Sequence, residues 1–145
     1  MTDTASTAPG LNGLLGLDDF EISPDHAGVV WTIGPDHLQP HGIPHGGVYC
    51  AAHEAVASVA GVAWVNRDAA DGDLLGVAVG MNNSTDFLRQ AKVGDTITTS
   101  ATPIHRGRTQ QLWRVESIDQ NGKLIAQGQV RLANLPPPVT QPENR

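Results

Sequence analysis

The 145-residue sequence predicts an α+β domain in which one long, buried helix is wrapped by an antiparallel sheet of five or six strands. Two observations lead to this prediction. The segment from Gly46 to about Val65 is rich in alanine and contains no proline, and its apolar residues lie on nearly every helical face, which is typical of a helix buried all round. The second half of the chain shows strand patterns separated by short turns.

The other elements follow in chain order. Leu11 to Leu17 are expected to form one amphipathic turn or a short helix. Strands are predicted at Phe20 to Ile22 and at Val29 to Ile33, and a proline-punctuated loop then runs from Gly34 to His45. After the helix and a polar loop, four more strands are predicted, at Leu74 to Leu88, Thr96 to His105, Gln110 to Ile118 and Leu124 to Leu135. The short connections between the last three indicate an antiparallel meander.

Composition predicts one domain over residues 11–135, with a disordered lead-in at residues 1–10 and a loose, proline-rich tail at residues 136–145. The lead-in lacks the basic and apolar regions of a signal peptide. The net charge of -6 argues against nucleic acid or an anionic membrane as the main partner. The single cysteine, Cys50, excludes an internal disulfide and fits a reducing compartment, so we expect a cytoplasmic location.

Glu54 is the unusual residue of the predicted helix, because it is the only formally charged side chain between Gly46 and Val65. Burial of an unpaired carboxylate is costly, so a chain that keeps one there usually uses it. Ser58 lies at i+4 on the same face, where it can share a hydrogen bond or hold a water molecule. Together with His53, Glu54 also argues against a membrane span. A plainer alternative stays open, in which Glu54 reaches solvent or pairs with a basic residue.

The sequence His45-Gly46-Gly47 marks the start of this helix, directly after Pro44. Glycines at this point let a ligand approach the free N–H groups of the first turn, which suit a developing oxyanion. The alternative is an ordinary glycine-rich helix start. Gly46 and Glu54 are eight residues apart, so they are separated by about 12 Å along the helix and by a rotation of about 80°.

These residues resemble the hotdog-fold acyl-CoA thioesterases of the 4-hydroxybenzoyl-CoA, phenylacetyl-CoA and 1,4-dihydroxy-2-naphthoyl-CoA type. The resemblance rests on Gln39, His45-Gly46-Gly47, Glu54 and Ser58, and it continues through Asn82 to Phe87, Ile104 to Arg108 and Gln111 to Trp113. It covers the chain from about Leu14 to Leu135. It implies a hotdog fold and an enzyme that hydrolyses acyl-CoA without a cofactor or metal ion, with an aromatic acyl group favoured.

The resemblance also implies roles for individual residues. Glu54 would act as nucleophile or general base, and the backbone N–H of Gly46 would polarise the thioester carbonyl. Gln39 and His45 would orient the thioester or the water, and Ser58 would position the attacking water. Contacts with the substrate or CoA are implied for Asn83, Thr85, Arg89, His105, Arg106, Gly107, Arg108 and Thr109. Relatives often have Asp at the position of Glu54. They also vary after Gly107, so the roles implied for Arg108 and Thr109 are less well supported by the resemblance.

Two other functions and the assembly remain to be weighed. A hotdog hydratase or dehydratase would require a histidine paired with a carboxylate, and a non-catalytic acyl-CoA-binding domain would not require Glu54. A zinc site at His41 and His45 is not expected, because Gly42 and Pro44 place both in a loop.

The distance between Gly46 and Glu54 predicts an active site shared by two subunits. We therefore expect a homodimer as the minimal active unit, and the resemblance to hotdog thioesterases implies a homotetramer as the full assembly.

Overall fold

The structure is a computed structural model that describes residues 3–5 and 10–139. It contains the strands β1 Asp3–Ala5, β2 Phe20–Ser23, β3 His26–Thr32, β4 Val77–Phe87, β5 Thr96–Arg106, β6 Gln110–Ile118 and β7 Leu124–Leu135, and the helices α1 Leu11–Leu14 and α2 Gly46–Val65. A short 3-10 helix covers Pro35–His37 in the loop before α2. The prediction for residues 1–10 falls mostly outside the described residues, as does the greater part of the predicted tail, and both stay predictions there.

The sheet is antiparallel throughout, with strand order β1-β2-β3-β5-β6-β7-β4. Among the described residues it has seven strands, or six without the three-residue β1. The predicted meander is confirmed, because β5, β6 and β7 are consecutive neighbours. Strand β4 follows α2 in the sequence but pairs with β7, so α2 and β4 together connect β3 to the opposite edge of the sheet.

Two strands begin at positions that differ from prediction for local reasons, while other strand ends shift by a single residue. Strand β4 begins at Val77 rather than Leu74. The side chain of Asn66, which caps α2, accepts hydrogen bonds from the backbone N–H groups of Leu75 and Gly76 at 2.7 and 3.3 Å. These residues are therefore tied to the helix end instead of to β7. Strand β3 begins at His26 rather than Val29, because β2 and β3 pair up to the turn.

Helix α2 packs into the sheet with its smallest side chains, and it contacts every strand from β2 to β7. Val48, Ala52, Val56 and Ala60 form a buried stripe of residues spaced four apart. Ala52 and Ala60 let the backbones approach closely, and the larger core residues come from the strands, including Trp113, Ile97 and Ile125. Helix α2 has the length and mean hydropathy of a membrane-spanning helix, and half of its most apolar stretch is buried inside this chain.

One stripe of α2 remains uncovered. Glu54 is exposed, and Cys50, Ser58 and Val62, which are spaced four residues apart along with it, are half-buried. The prediction that α2 is buried on every face is therefore wrong for this stripe of the single chain. The cause is geometric: the sheet curls around the helix from one side and leaves the opposite side open.

Candidate active site

The first turn of α2 presents a free backbone donor. His45 is the N-cap, and its Nδ1 accepts a hydrogen bond from the N–H of Gly47 at 2.8 Å. The N–H of Val48 donates to the His45 carbonyl at 3.0 Å. The N–H of Gly46, at the first helical position, has no acceptor within its own helix. The helix start therefore offers this group, at the positive end of the helix dipole, to a negatively charged oxygen.

A cavity of about 470 Å³ opens beside this donor. Gly46 and Gln39 both line it, and Arg89 adds a basic, exposed side chain at its wall. The remaining lining residues are Ile43, Pro44, Tyr49, Phe87, Leu88, Gln90 and Ala91. A largely apolar wall with a few convergent polar groups, in a volume of this order, is typical of a small-molecule site.

Phe87 explains why the position of Gly46 holds glycine. The phenyl ring lies against the Gly46 Cα, so that a Cβ added to Gly46 would come within 2.7 Å of the ring carbon Cζ. The ring of Tyr49 follows behind, with its centroid 6.2 Å from that of Phe87. These two rings form an aromatic wall beside Gly46.

The hydroxyl of Tyr49 is buried and has no hydrogen-bond partner among the described residues. Burial raises the pKa of Tyr49 to about 12, and the negative charge of Asp95 adds a smaller contribution in the same direction. The phenol therefore stays neutral throughout the physiological range. It is the one buried side-chain polar group in the described part of the chain that lacks a partner.

Glu54 extends over strand β4 and lies against Gly80. A Cβ at Gly80 would collide with Oε1 of Glu54, so glycine is needed for the carboxylate to occupy this position. Next to Gly80 the pairing of β4 with β7 is interrupted by a bulge at Met81. The predicted desolvated environment of Glu54 is therefore absent from the single chain, in which this side chain is exposed.

The predicted catalytic residues occupy two separate places. Gln39, His45 and Gly46 lie together at the start of α2, whereas Glu54 and Ser58 lie on the open stripe farther along the helix. Glu54 does not line the cavity beside Gly46. Ser58 instead borders an open apolar groove of about 340 Å³, which it shares with Ile22, Val59, Val62 and Ala63. One chain therefore does not bring the proposed donor and the proposed base together.

The predicted nucleotide contacts, His105 to Thr109, form the end of β5 and its turn into β6. Arg106 is held within the chain, because its Nη1 donates to the carbonyl of Pro24 at 2.6 Å and to Asp25 Oδ1 at 2.8 Å. Arg108 is exposed at the tip of the turn. Asn134 fastens this turn, since its amide donates to the carbonyls of Gly107 and Arg108 at 2.9 and 3.1 Å.

Asn83 and Thr85, two further predicted contacts, face the helix rather than an open site. The amide of Asn83 donates to the carbonyl of Cys50 at 2.9 Å, and the hydroxyl of Thr85 donates to Asn83 Oδ1 at 2.7 Å. Both belong to a hydrogen-bonded cluster around the buried side chain of His53. Within residues 3–5 and 10–139, no three His, Cys, Asp or Glu side chains gather as a metal site requires.

A long helix wrapped by an antiparallel sheet is the hotdog fold. The chain belongs to the thioesterase superfamily, whose family model matches residues 41–126. Rv1847 from Mycobacterium tuberculosis, which is named only as an esterase, is 46% identical over 121 residues and 83% of each chain. The crystal structure of AziG from S. sahachiroi shares 47% identity, with a TM-score of 0.80, over 90% of this chain and all of the other. The 1,4-dihydroxy-2-naphthoyl-CoA hydrolase of Escherichia coli is 27% identical over 93% of this chain and 96% of its own.

Sequence reasoning missed the residues that surround the predicted ones. Gly80 could have been found, because a glycine within a strand marks a bulge or a close approach. Phe87 belongs to a segment that carries the resemblance, but neither it nor Tyr49 was assigned to the site, and only the folded chain places them beside Gly46. His53 had no recognisable signal, since its partners are 32 and 64 residues away in the sequence.

Proposed function

We propose that this protein is an acyl-CoA thioesterase that hydrolyses an aromatic acyl-CoA to the free acid and CoA. The observation that carries the proposal is the free N–H of Gly46 beside a cavity that Gln39 also lines. A thioester carbonyl bound in this cavity would accept a hydrogen bond from Gly46, and this bond strengthens as negative charge develops on the oxygen. Gln39 and His45 would orient the thioester or the water.

Glu54 supplies the second requirement, a nucleophile or a general base. As a general base it would remove a proton from a water molecule positioned by Ser58, and that water would attack the carbonyl carbon. As a nucleophile its oxygen would attack the carbon directly and form an anhydride, which water would then hydrolyse. In both routes the CoA thiolate leaves, and neither route requires a cofactor or a metal ion.

An aromatic acyl group suits the cavity wall. Phe87 and Tyr49 place two rings beside Gly46, and aromatic rings pair favourably in offset or edge-to-face arrangements. Arg89 at the same wall and Arg108 on the β5–β6 turn are cationic groups for the CoA phosphates. The relative from Escherichia coli is named for an aromatic acyl-CoA substrate.

We further propose that each site is completed by a second copy of the chain. Strand β4 ends the sheet with an unpaired edge of eleven residues, which carries the exposed apolar side chains of Val79 and Met81. A long apolar edge of this kind invites another strand. Because Glu54 lies against Gly80 of this strand, pairing of two β4 edges would bury Glu54 at the junction of the subunits. Burial there would supply the desolvation that makes a carboxylate a more effective base.

The proposed activity is tested by incubating the purified protein with benzoyl-CoA, a hydroxynaphthoyl-CoA and palmitoyl-CoA while a thiol reagent reports free CoA. We expect turnover of the aromatic substrates and little of palmitoyl-CoA. Glu54→Ala should lower kcat by about 10²-fold or more with little change in KM, since the carboxylate acts on the reacting carbon. Near-normal turnover by a folded Glu54→Ala protein would end the assignment of Glu54. Binding of acyl-CoA without release of CoA would indicate a non-catalytic domain.

Subunit mixing tests the shared site. Inactive Glu54→Ala chains are mixed with inactive Gln39→Ala chains under conditions that exchange subunits. Each mixed dimer would contain one site in which Gln39 and Glu54 are both intact. Random exchange then predicts recovery of about a quarter of the wild-type activity. If each site were built within one chain, every site would keep one lesion and mixing would recover no activity.

A further inference from the structure

His53 is a buried, titratable side chain next to Glu54 that the proposed reaction does not use. It is completely inaccessible to solvent. Its Nδ1 lies 3.0 Å from the hydroxyl of Thr85, and its Nε2 lies 3.0 Å from the hydroxyl of Ser117. Both ring nitrogens are therefore engaged, and the side chain links helix α2 to strands β4 and β6.

The donors on the β4 side can be assigned one by one. A backbone carbonyl only accepts hydrogen bonds, so the group of Asn83 that faces the Cys50 carbonyl must be the NH₂, and Asn83 Oδ1 is an acceptor. The Thr85 hydroxyl therefore donates its single proton to Asn83. It follows that Thr85 accepts from His53 and that Nδ1 carries the proton of the neutral ring.

On the opposite side of the ring, the hydrogen bonds are donated in the same direction along the chain of side chains. Because Nδ1 is protonated, the neutral ring accepts at Nε2 from the hydroxyl of Ser117. Ser117 in turn accepts from Thr99 at 2.8 Å, and Thr99 accepts from the indole N–H of Trp31, which can only donate, at 3.0 Å. One continuous chain of donors thus runs from β3 through β5, β6 and α2 to β4.

This chain ends at the backbone of Glu54. Its last acceptor, the carbonyl of Cys50, is also the group that receives the N–H of Glu54 within the helix, four residues on. The Glu54 carboxylate then lies against Gly80 of β4, the strand that carries Asn83 and Thr85. Within the sheet β4 is hydrogen-bonded to β7 alone, and these side chains tie it to the helical turn that carries Glu54.

We propose that His53 is a positioning residue, which through Thr85 and Asn83 fixes the helical turn of Glu54 against strand β4. The proposal rests on the catalytic role proposed for Glu54. It also assigns Asn83 and Thr85 a task within the fold instead of a contact with CoA. Burial lowers the pKa of His53 to about 4, so the neutral ring that the chain of donors requires persists at neutral pH.

The test compares two isosteric variants with the wild-type protein. Thr85→Val removes the link between His53 and Asn83, whereas Thr99→Val removes a buried hydroxyl on the far side of Ser117 and leaves the links from Ser117 to Cys50 intact. We expect Thr85→Val to lower kcat by about 10-fold or more, because small displacements of a catalytic group are costly, and to leave KM within about twofold. Thr99→Val should keep kcat within about twofold of wild type, even if its melting temperature falls as far as that of Thr85→Val.

Two further variants make the result independent of a single substitution. Asn83→Ala cuts the last link and should match Thr85→Val, and Thr85→Ser, which keeps the hydroxyl, should restore most of the lost kcat. The proposal is overturned if Thr85→Val turns over normally, if it raises KM at unchanged kcat, or if Thr99→Val loses as much kcat. The kcat of Glu54→Ala is measured separately. This measurement tests the catalytic role of Glu54 and so distinguishes its failure from a failure of the positioning role of His53.

Discussion

Acid should destabilise this protein through the buried side chain of His53. The folded protein holds His53 neutral, because burial lowers the pKa from its usual 6.5 to about 4. The unfolded chain binds a proton at this residue below pH 6.5, whereas the folded chain does so only near pH 4. The stability associated with the neutral ring is thus complete above pH 6.5 and is lost as the pH falls towards 4.

The magnitude follows from the two pKa values. Each pH unit between them lowers the free energy of unfolding by about 1.4 kcal/mol, so a change from pH 7 to pH 5 should cost about 2 kcal/mol. The protonated ring would also donate from Nε2 to Ser117, which would reverse that bond and leave one hydroxyl proton of the Ser117–Thr99 pair without an acceptor among its present neighbours. The loss therefore comes from one buried side chain and its partners.

The assay is urea unfolding at pH 7 and pH 5 at one fixed protein concentration, for the wild-type protein and for His53→Gln. Both proteins share the other five histidines, so the difference between their pH dependences isolates His53. We expect the wild-type protein to lose about 2 kcal/mol more than the variant over this range. Equal losses in the two proteins would refute the reasoning.

Three further predictions follow from other contacts. Gly80→Ala should displace the Glu54 carboxylate and lower kcat by about 10-fold or more, with stability within about 1 kcal/mol because a flexible side chain yields; an unchanged kcat in steady-state assays would contradict the placement of Glu54. Tyr49→Phe removes a buried hydroxyl without a partner and should raise the free energy of unfolding in urea by up to about 1 kcal/mol, whereas a loss of stability would reveal a partner for the hydroxyl. Arg108→Gln should raise KM for CoA thioesters at low salt, and the effect should shrink as salt screens the contact. The matched Arg106→Gln variant should change KM less, because that guanidinium is held by Pro24 and Asp25. Equal effects of the two substitutions on KM would argue against separate roles for these arginines.

Much of the fold could be predicted because its signals are local. The bounds of α2 agree with those predicted from its alanine content and its glycine-rich start, and the bounds of β6 and β7 agree with the alternation of their side chains and the turns between them. The start of β4 could not be predicted in this way. Leu74 to Gly76 look like strand residues, but Asn66 holds the backbone of Leu75 and Gly76 at the helix end.

The candidate site was likewise predictable only where its signals are local in the sequence. The sequence by itself singled out Glu54 as a lone charge in an apolar helix and placed Gly46 at the helix start, because composition and spacing along one helix are local properties. It also predicted, from helix geometry alone, that these two residues are too far apart to act together within one chain. It did not determine which face of α2 the sheet leaves open, and so it left open whether Glu54 is buried or reaches solvent.

Only the tertiary structure decided what surrounds these residues. The collision at Gly80, the ring of Phe87 over Gly46 and the chain of donors through His53 all depend on strands that are distant in the sequence. Asn83 and Thr85, which a motif associates with the substrate, proved to bond the core helix. The physical reason is that hydrogen bonds and van der Waals contacts act over a few ångströms in space, whereas sequence patterns report which residues share a face but not what that face meets.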